Sequence, residues 1–428
     1  MSDYQAVVVG AGCAGSVAAT VLARQGKSVL LIERGSFAGA KNMTGGRLYA
    51  HSLKAVFPNF EQVAPLERKI TRENISLMTK DANTTISFTS PELGERDVTS
   101  YSVLRADFDN WLSSKAEEAG ADCVYGITVE DLLWDDKRVV GIRCGEDEIS
   151  ADITLLADGS NSLLSERAGL AARAKPRHLA VGVKEVIALD ETTIDDRFMN
   201  NAGEGTAWLF AGAATQGHVG GGFLYSNRES ISLGLVVTLA DLCASEIPIY
   251  QMLEDFKAHP SIAPLIKGGQ LVEYSGHLIP EGGYRSIPTL HRDGCLLVGD
   301  AAMLCVNLGY QVRGMDYAIA SGEIAATAAG AALDDNDCSA ANLATYRSLL
   351  EESFVLRDLR AYQHFPEYLA QTKRLFKEYP ELAARIMKSL FCVDGRPVEP
   401  LRDKVIGPVK GIGLFTVARD LRKGMKAL

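Results

Sequence analysis

The apolar positions near the N-terminus fall in two short runs around a helix. Residues 6–9 form a β-branched run, a glycine turn follows, and residues 16–24 have helical character ended by Gly26. Residues 28–32 are a second apolar run. Strands buried on both faces and joined by a helix predict a parallel, doubly wound sheet. Residues 105–119 read as an amphipathic helix stopped by Gly120, and 122–144 as strand, short connection and strand, with Asp135-Asp136-Lys137 as the polar turn. Residues 153–156 are another buried strand, ending in Ala157-Asp158-Gly159. From about 179 to 278 the pattern alternates, as in 180–186, 222–225 and 230–237, which predicts antiparallel sheet. One helix over 249–258 interrupts it. Residues 295–298 return to a buried strand, followed by Gly299-Asp300 and a long Ala-rich helix over about 315–333. From about 340 onward the chain is mostly helical.

The expected fold class is therefore α/β, an α+β composite. A discontinuous Rossmann-like nucleotide-binding domain takes 1–75, 100–170 and 285–340. An inserted antiparallel sheet domain takes 171–284, and a helical C-terminal region takes 341–428. Composition sharpens this. With 47% hydrophobic and 23% charged residues among 428, the chain is neither disordered nor low-complexity. Its forty glycines exceed the roughly thirty expected at ~7%, which suits close backbone approaches to a ligand. A net charge of −10 disfavours nucleic acid as a partner. Eight scattered cysteines form no CxxC and no metal spacing, the usage of a reduced compartment. No signal peptide is visible, so a cytoplasmic location is expected. The longest charge-free run, 205–227, holds six glycines, Gln216 and His218 and is too polar to span a bilayer.

Four segments carry chemistry. Gly10-Ala11-Gly12-Cys13-Ala14-Gly15 lies between a strand and a helix. Gly10 allows the tight turn, Gly12 admits a pyrophosphate, and Gly15 allows close helix–strand packing. The helix N-terminus offers N–H groups and a positive dipole end. Glu33, 23 residues after Gly10, can accept both ribose hydroxyls. An acid there disfavours a 2′-phosphate, leaving FAD or NAD. Gly299-Asp300-Ala301-Ala302 puts a carboxylate at a strand end, where it can bond a polyol chain, and Gly309 and Gly314 follow, where bare backbone could approach a flat ring. Ala157-Asp158-Gly159-Ser160 also ends a strand; taken alone it is equally an ordinary capped turn. The loop Ala40-Lys41-Asn42-Met43-Thr44-Gly45-Gly46-Arg47 offers N–H groups to phosphate or flavin, and Arg34, Lys41 and Arg47 are cations nearby.

The pairing of the GxGxxG turn with Gly299-Asp300 resembles the two FAD fingerprints of two-dinucleotide-binding-domain flavoproteins. That resemblance decides for FAD and implies that Asp300 binds the ribityl chain. It also implies that Asp158-Gly159 is the Asp-Gly motif of that class and that Arg105 approaches the cofactor. Longer stretches are more specific. Glu33-Arg34-Gly35, Gly39 through His51, Tyr101-Ser102-Val103-Leu104-Arg105, Val181-Gly182-Val183-Lys184-Glu185, Gly220 through Tyr225, Gln251 through Lys257 and Arg313-Gly314-Met315-Asp316 resemble the FixC family, over essentially the whole chain. The resemblance implies an FAD oxidoreductase similar to electron-transfer-flavoprotein:quinone oxidoreductases. It would exchange electrons with a two-subunit electron-transfer flavoprotein and a ferredoxin-like iron–sulfur subunit, with quinone as a further acceptor. Two departures stand out. After Cys338 only Cys392 remains, so the [4Fe–4S] cluster of the quinone oxidoreductases has no ligands here, and the resemblance puts it in the ferredoxin-like partner. Met303 stands where FixC sequences usually have glycine, which changes the packing expected beside the flavin.

Electron transfer through a flavin needs no nucleophile or acid–base dyad, so no catalytic residue and no metal site is expected. His51, His218, Tyr225 and Tyr310 are candidates near the ring, with a proton role open for His51; Cys13 reads as a small side chain in a crowded turn. Residues 401–428 carry seven basic residues against two acidic ones. Leu414, Ala418, Leu421, Met425 and Leu428 share a helical face opposite Arg419, Arg422, Lys423 and Lys426. This fits a membrane surface on the inner face of the cell membrane, an acidic partner, or a core-packed helix. The alternative enzyme reading is an FAD monooxygenase or prenyl reductase of the same fold; outside enzymes, it is a docking subunit with structural FAD.

Overall fold

The computed structural model describes residues 2–41, 46–95 and 98–428. Its first sheet is built from β1 (Tyr4–Val9), β2 (Val29–Glu33), β3 (Asp122–Tyr125), β4 (Asp147–Leu156) and β5 (Cys295–Leu297). They lie in the order β5-β4-β1-β2-β3, all parallel. At the β5 edge, the two-residue strand His291–Arg292 runs antiparallel. Val7, Val8, Leu31, Ile153 and Leu155 are fully buried, as a sheet covered on both faces requires. The first half of β4 leaves this sheet and pairs with Arg138–Cys144, which pairs in turn with Asp131–Asp135. Asp136 makes that turn at φ +51°.

Three helices cover one side: α1 (Cys13–Arg24), α2 (Arg105–Glu118) and α3 (Met315–Asp334). Helix α1 starts three residues earlier than its apolar pattern, because extended Gly12 caps it directly. It packs on both α2 and α3. The alanine content of α3 has a packing reason: at Gly322 an added Cβ would strike the Ala14 carbonyl oxygen, so the two backbones touch.

The second sheet runs Gln270–Pro280, Leu179–Ala188, Ser230–Thr238, Gly220–Ser226, Glu204–Gly212, Lys69–Met78, Ser100–Ser102 and Arg47–Tyr49, with Asn83–Thr89 branching from Lys69–Met78. Pairing is antiparallel except between Glu204–Gly212 and Lys69–Met78, which are parallel. This sheet is larger than the expected inserted unit. Residues 47–49, 69–78 and 100–102 join it, although the expected division gave 1–75 and 100–170 to the nucleotide-binding unit. A parallel partner more than a hundred residues away leaves no hairpin signal in the local pattern. One face packs Val183, Phe210, Leu233 and Leu235 against Met252, Leu253 and Phe256 of the helix Ile249–Ala258. The opposite face, which includes Tyr225 and His277, turns toward the ends of β1, β2, β4 and β5.

The C-terminal region is helical, as expected. Ala340–Glu352 and Phe354–Ala361 bury Leu343, Tyr346, Leu350, Val355 and Leu359 in the main core, and the Tyr346 hydroxyl donates to the Leu297 carbonyl at 3.0 Å. The last helix, Leu414–Ala427, turns its polar side inward. Its inward side holds Asp420, Gly424 and Ala427. Arg374 grips buried Asp420 through Nε (2.7 Å) and a terminal nitrogen (3.1 Å), and Tyr379 donates to it at 2.8 Å. Leu414, Ala418, Leu421, Met425 and Leu428 all face outward, so the core-packed arrangement is not adopted.

Candidate functional site

The carboxyl ends of β1, β2, β4 and β5 open into one cavity of about 660 Å³, within the range of cofactor sites. Its floor is the glycine turn. The Gly10 N–H donates to the Ile32 carbonyl at 2.8 Å. Gly10 has φ +100°, and a Cβ there would lie 2.5 Å from the Ala157 carbonyl oxygen. A Cβ on Gly15 would collide with the Gly10 carbonyl, and one on Gly299 would lie 2.9 Å from the Ala14 Cβ. Three strand ends thus meet where only bare backbone fits.

Gly10, Gly12, Ala14, Glu33, Arg34, Lys41, Gly46, Arg105, Asp158, Gly159, Asp300 and Gly314 all line this cavity. Ala11, Gly15 and Gly299 shape the turns behind it. The Ala11 N–H donates to Glu33 Oε2 at 3.0 Å and the Gly35 N–H to Oε1 at 2.7 Å, which fixes the carboxylate at the end of β2. Gly309 sits at the tip of the hairpin formed by Val306–Asn307 and Val312–Arg313, outside the cavity wall among the described residues, and Tyr310 beside it is exposed. Asn42, Thr44 and Gly45 lie outside the described residues.

Charge inside the cavity is tightly organised. Arg105 holds Asp109 with two hydrogen bonds, 2.9 Å from Nε and 2.7 Å from a terminal nitrogen. Burial pushes the Asp300 carboxyl up to about 6, and Arg105 pulls it back down. Burial likewise pushes Asp158 up to about 6 against a hydrogen bond from Ser162, and its Oδ1 has no hydrogen-bond partner among the described residues. Burial also pushes the Cys13 thiol up, and its Sγ lies 3.5 Å from Asp109 Oδ1. A protonated, buried thiol suits a packing role. Met303 closes the turn after Asp300 at φ +61°, donating its N–H to the Asp300 carbonyl at 2.9 Å. This is the left-handed region that glycine enters without strain.

The wall also includes Gly46, Arg47, Tyr225, His277, Ile279, Cys305, Val312 and Met315. A Cβ on Gly46 would lie 2.8 Å from the Tyr225 ring. Arg47 is already engaged: it bonds both carboxylate oxygens of Glu73, stacks 4.5 Å over the Tyr49 ring, and so is not a spare cation for phosphate. His277 escaped the sequence reading. Burial brings its imidazole down to about 4, with Arg105 and Arg34 adding to the effect. Nothing local marks it; only the pairing of Gly182 with His277 brings it to the cavity. Of the other candidates, His51 bonds Asp316 at 3.2 Å and packs edge-on to Phe354, and His218 lies 3.8 Å from Asp241; neither reaches the cavity wall among the described residues.

Three family models match successive parts of the chain. Residues 5–180 match an FAD dependent oxidoreductase model, 179–279 an ETF-QO ubiquinone-binding model, and 365–428 an ETF-QO/FixC family C-terminal domain. Protein FixC of Escherichia coli K12 is 49% identical, covering 99% of both chains. The probable electron transfer flavoprotein-quinone oxidoreductase YdiS of the same organism is 49% identical over the full length of both. The chain belongs to the ETF-QO/FixC family. It is an FAD-dependent electron-transfer oxidoreductase. The fold alone is shared more widely. A geranylgeranyl bacteriochlorophyll reductase-like protein of Thermoplasma acidophilum aligns with a TM-score of 0.74 at 20% identity, covering 98% of this chain and 99% of that one. The myxobacterial halogenase CndH aligns at 0.65 and 18%, covering 96% and 97%.

The cavity fits this family's cofactor on its own terms. It has a cradle that any Cβ would fill, an orphaned carboxylate oxygen on Asp158, a raised carboxyl on Asp300, and a length running from Glu33 to the second sheet. Among the described residues no helix is long and apolar enough to cross a membrane.

Proposed function

We propose that this protein passes electrons between an electron-transfer flavoprotein and quinone, as a FixC-type oxidoreductase with a ferredoxin-like subunit as a further partner. The observation that carries the reading is the part of the cavity wall supplied by the second sheet. Tyr225, His277 and Ile279 belong to it, and all three fall within the segment that matches the ubiquinone-binding model. FAD, when bound, supplies the one- and two-electron chemistry. The chain's own residues bind and orient it. Gly10, Gly12 and Ala14 admit the pyrophosphate to the N-terminus of α1, and Glu33 takes the ribose hydroxyls at the end of β2. Asp300, Arg105 and Asp158-Gly159 hold the middle, while Gly46 and Gly314 leave backbone bare toward the ring. Reconstitution tests this: anaerobic turnover with a reduced electron-transfer flavoprotein and a short-chain ubiquinone is expected. Fast reduction by NADH or NADPH with oxygen uptake contradicts it and favours a monooxygenase.

The C-terminal helices would rest on an anionic membrane face. Support comes from Phe415 (94% exposed), Leu421 and Met425, which stand out of the surface on the same helix as Arg419, Arg422, Lys423 and Lys426. Apolar anchors flanked by cations bind interfaces in this way.

A further inference from the structure

Leu179–Ala188 and Gln270–Pro280 pair antiparallel, with Lys184 opposite Ser275 and Gly182 opposite His277. Side chains two apart share a face, so Glu273, Ser275 and His277 stand in a row with Lys184 across from them. Lys184 is 1% exposed, yet among the described residues its Nζ has no partner within hydrogen-bond distance; Glu273 Oε1 is 3.6 Å away. Glu273 Oε1 and Ser275 Oγ are also buried without a hydrogen-bond partner among the described residues. Native proteins seldom leave one such atom unsatisfied, and three side by side call for a common partner. Water is the partner that bonds an ammonium, a carboxylate and a hydroxyl together. The row has an outlet at each end: the Glu273 side chain keeps 21% exposure, and His277 lines the cavity.

We propose that Glu273, Lys184 and Ser275, linked by water, form a proton path from the surface to His277 and the cavity it lines. The proposal rests on the flavin electron-transfer reading, because two-electron reduction of a flavin takes up protons that come from bulk water. Electrons arrive from the protein donor. Lys184 releases one ammonium proton to the water beside Ser275 and His277, and a solvent proton passing Glu273 restores it; only N–H and O–H bonds change. Arg105 and Asp109 on α2 and Glu273 on the neighbouring strand are the charges around Lys184, and Arg105 and Arg34 those around His277. Burial brings Lys184 down to about 8 against the pull of Glu273, so it can give and take protons near neutral pH. A neutral His277 carries one donor and one acceptor nitrogen and can hand a proton on.

The test uses the FAD-loaded full chain. The bound flavin is photoreduced, and proton uptake is followed with an indicator dye alongside the flavin absorbance, from pH 6 to about 9.5. The expected result is at least tenfold slower uptake in Glu273→Gln and Lys184→Met than in the wild type, with electron arrival unchanged. The wild-type inflection near pH 8 should disappear in Lys184→Met. If Lys184→Met does not fold, Glu273→Gln and Ser275→Ala carry the test. Wild-type uptake rates in FAD-loaded Glu273→Gln and Ser275→Ala overturn the path. A wild type that retains no FAD defeats the cofactor reading itself and is seen before any variant is compared.

Discussion

Alanine at Gly10 separates two effects that both follow from backbone geometry. Gly10 has φ +100°, where an L-residue is strained by about 1–3 kcal/mol. Its new Cβ would also lie 2.5 Å from the Ala157 oxygen, 2.9 Å from the Ala157 carbonyl carbon and 3.2 Å from the Asp158 Cα. All three are backbone atoms, so no side chain can swing away. Gly26 is the internal control: φ is +77°, but nothing lies within 4 Å of an added Cβ. Gly26→Ala therefore carries the dihedral cost alone. Gly10→Ala adds an overpacking cost of about 1–3 kcal/mol. The clash is relieved by pushing the Asp158 turn away from the glycine turn. Those are the two halves of the cofactor cradle, so the cost falls on FAD binding. At about 1.4 kcal/mol per tenfold, FAD should be held about 5- to 150-fold more weakly. The assay is fluorescence titration of each deflavinated variant with FAD. Equal FAD affinity in Gly10→Ala and Gly26→Ala would refute the reasoning, because it would mean that the cradle opens without cost.

Three further predictions concern other parts of the molecule. Asp300 and Asp158 are raised to about 6 from 3.8, so the folded apoprotein binds protons that the unfolded chain has lost. Its stability should therefore fall as pH rises from about 4 to 6. Asp300→Asn should flatten that fall by up to about 3 kcal/mol in denaturant melts while weakening FAD retention; an unchanged pH profile counts against the assignment. Asp420→Ala removes the partner of Arg374 and Tyr379 and should loosen the final helix by about 1–3 kcal/mol. Limited proteolysis should then cut near residue 413 while the flavin spectrum stays intact, and unaltered cleavage would show that the helix is held otherwise. Phe415→Glu with Met425→Glu should leave the melting temperature within a degree or two but reduce cosedimentation with vesicles containing phosphatidylserine several-fold; undiminished binding removes the membrane reading.

The parts legible in the sequence were those encoded locally. The parallel core and the placing of Glu33, Asp158 and Asp300 at strand ends follow from short apolar runs that stop at Gly or Asp, and the structure brings those three carboxylates to one cavity. What was hidden depends on distant pairing. Arg47 looked like a phosphate cation until Lys69–Met78 brought Glu73 against it. His277 and Lys184 lie on ordinary alternating strands, and only their register turns them toward the cavity. The last helix has an apolar face of the usual kind, but Asp420, bonded by Arg374 and Tyr379, holds the opposite side inward.

The most direct test of electron transfer through FAD is an anaerobic visible spectrum of the purified protein, titrated with NADH, then NADPH, then a reduced electron-transfer flavoprotein. The account predicts flavin bands that persist through both nicotinamides and bleach with the protein donor. Bleaching by either nicotinamide within seconds, or no flavin bands even after FAD is added, would contradict it.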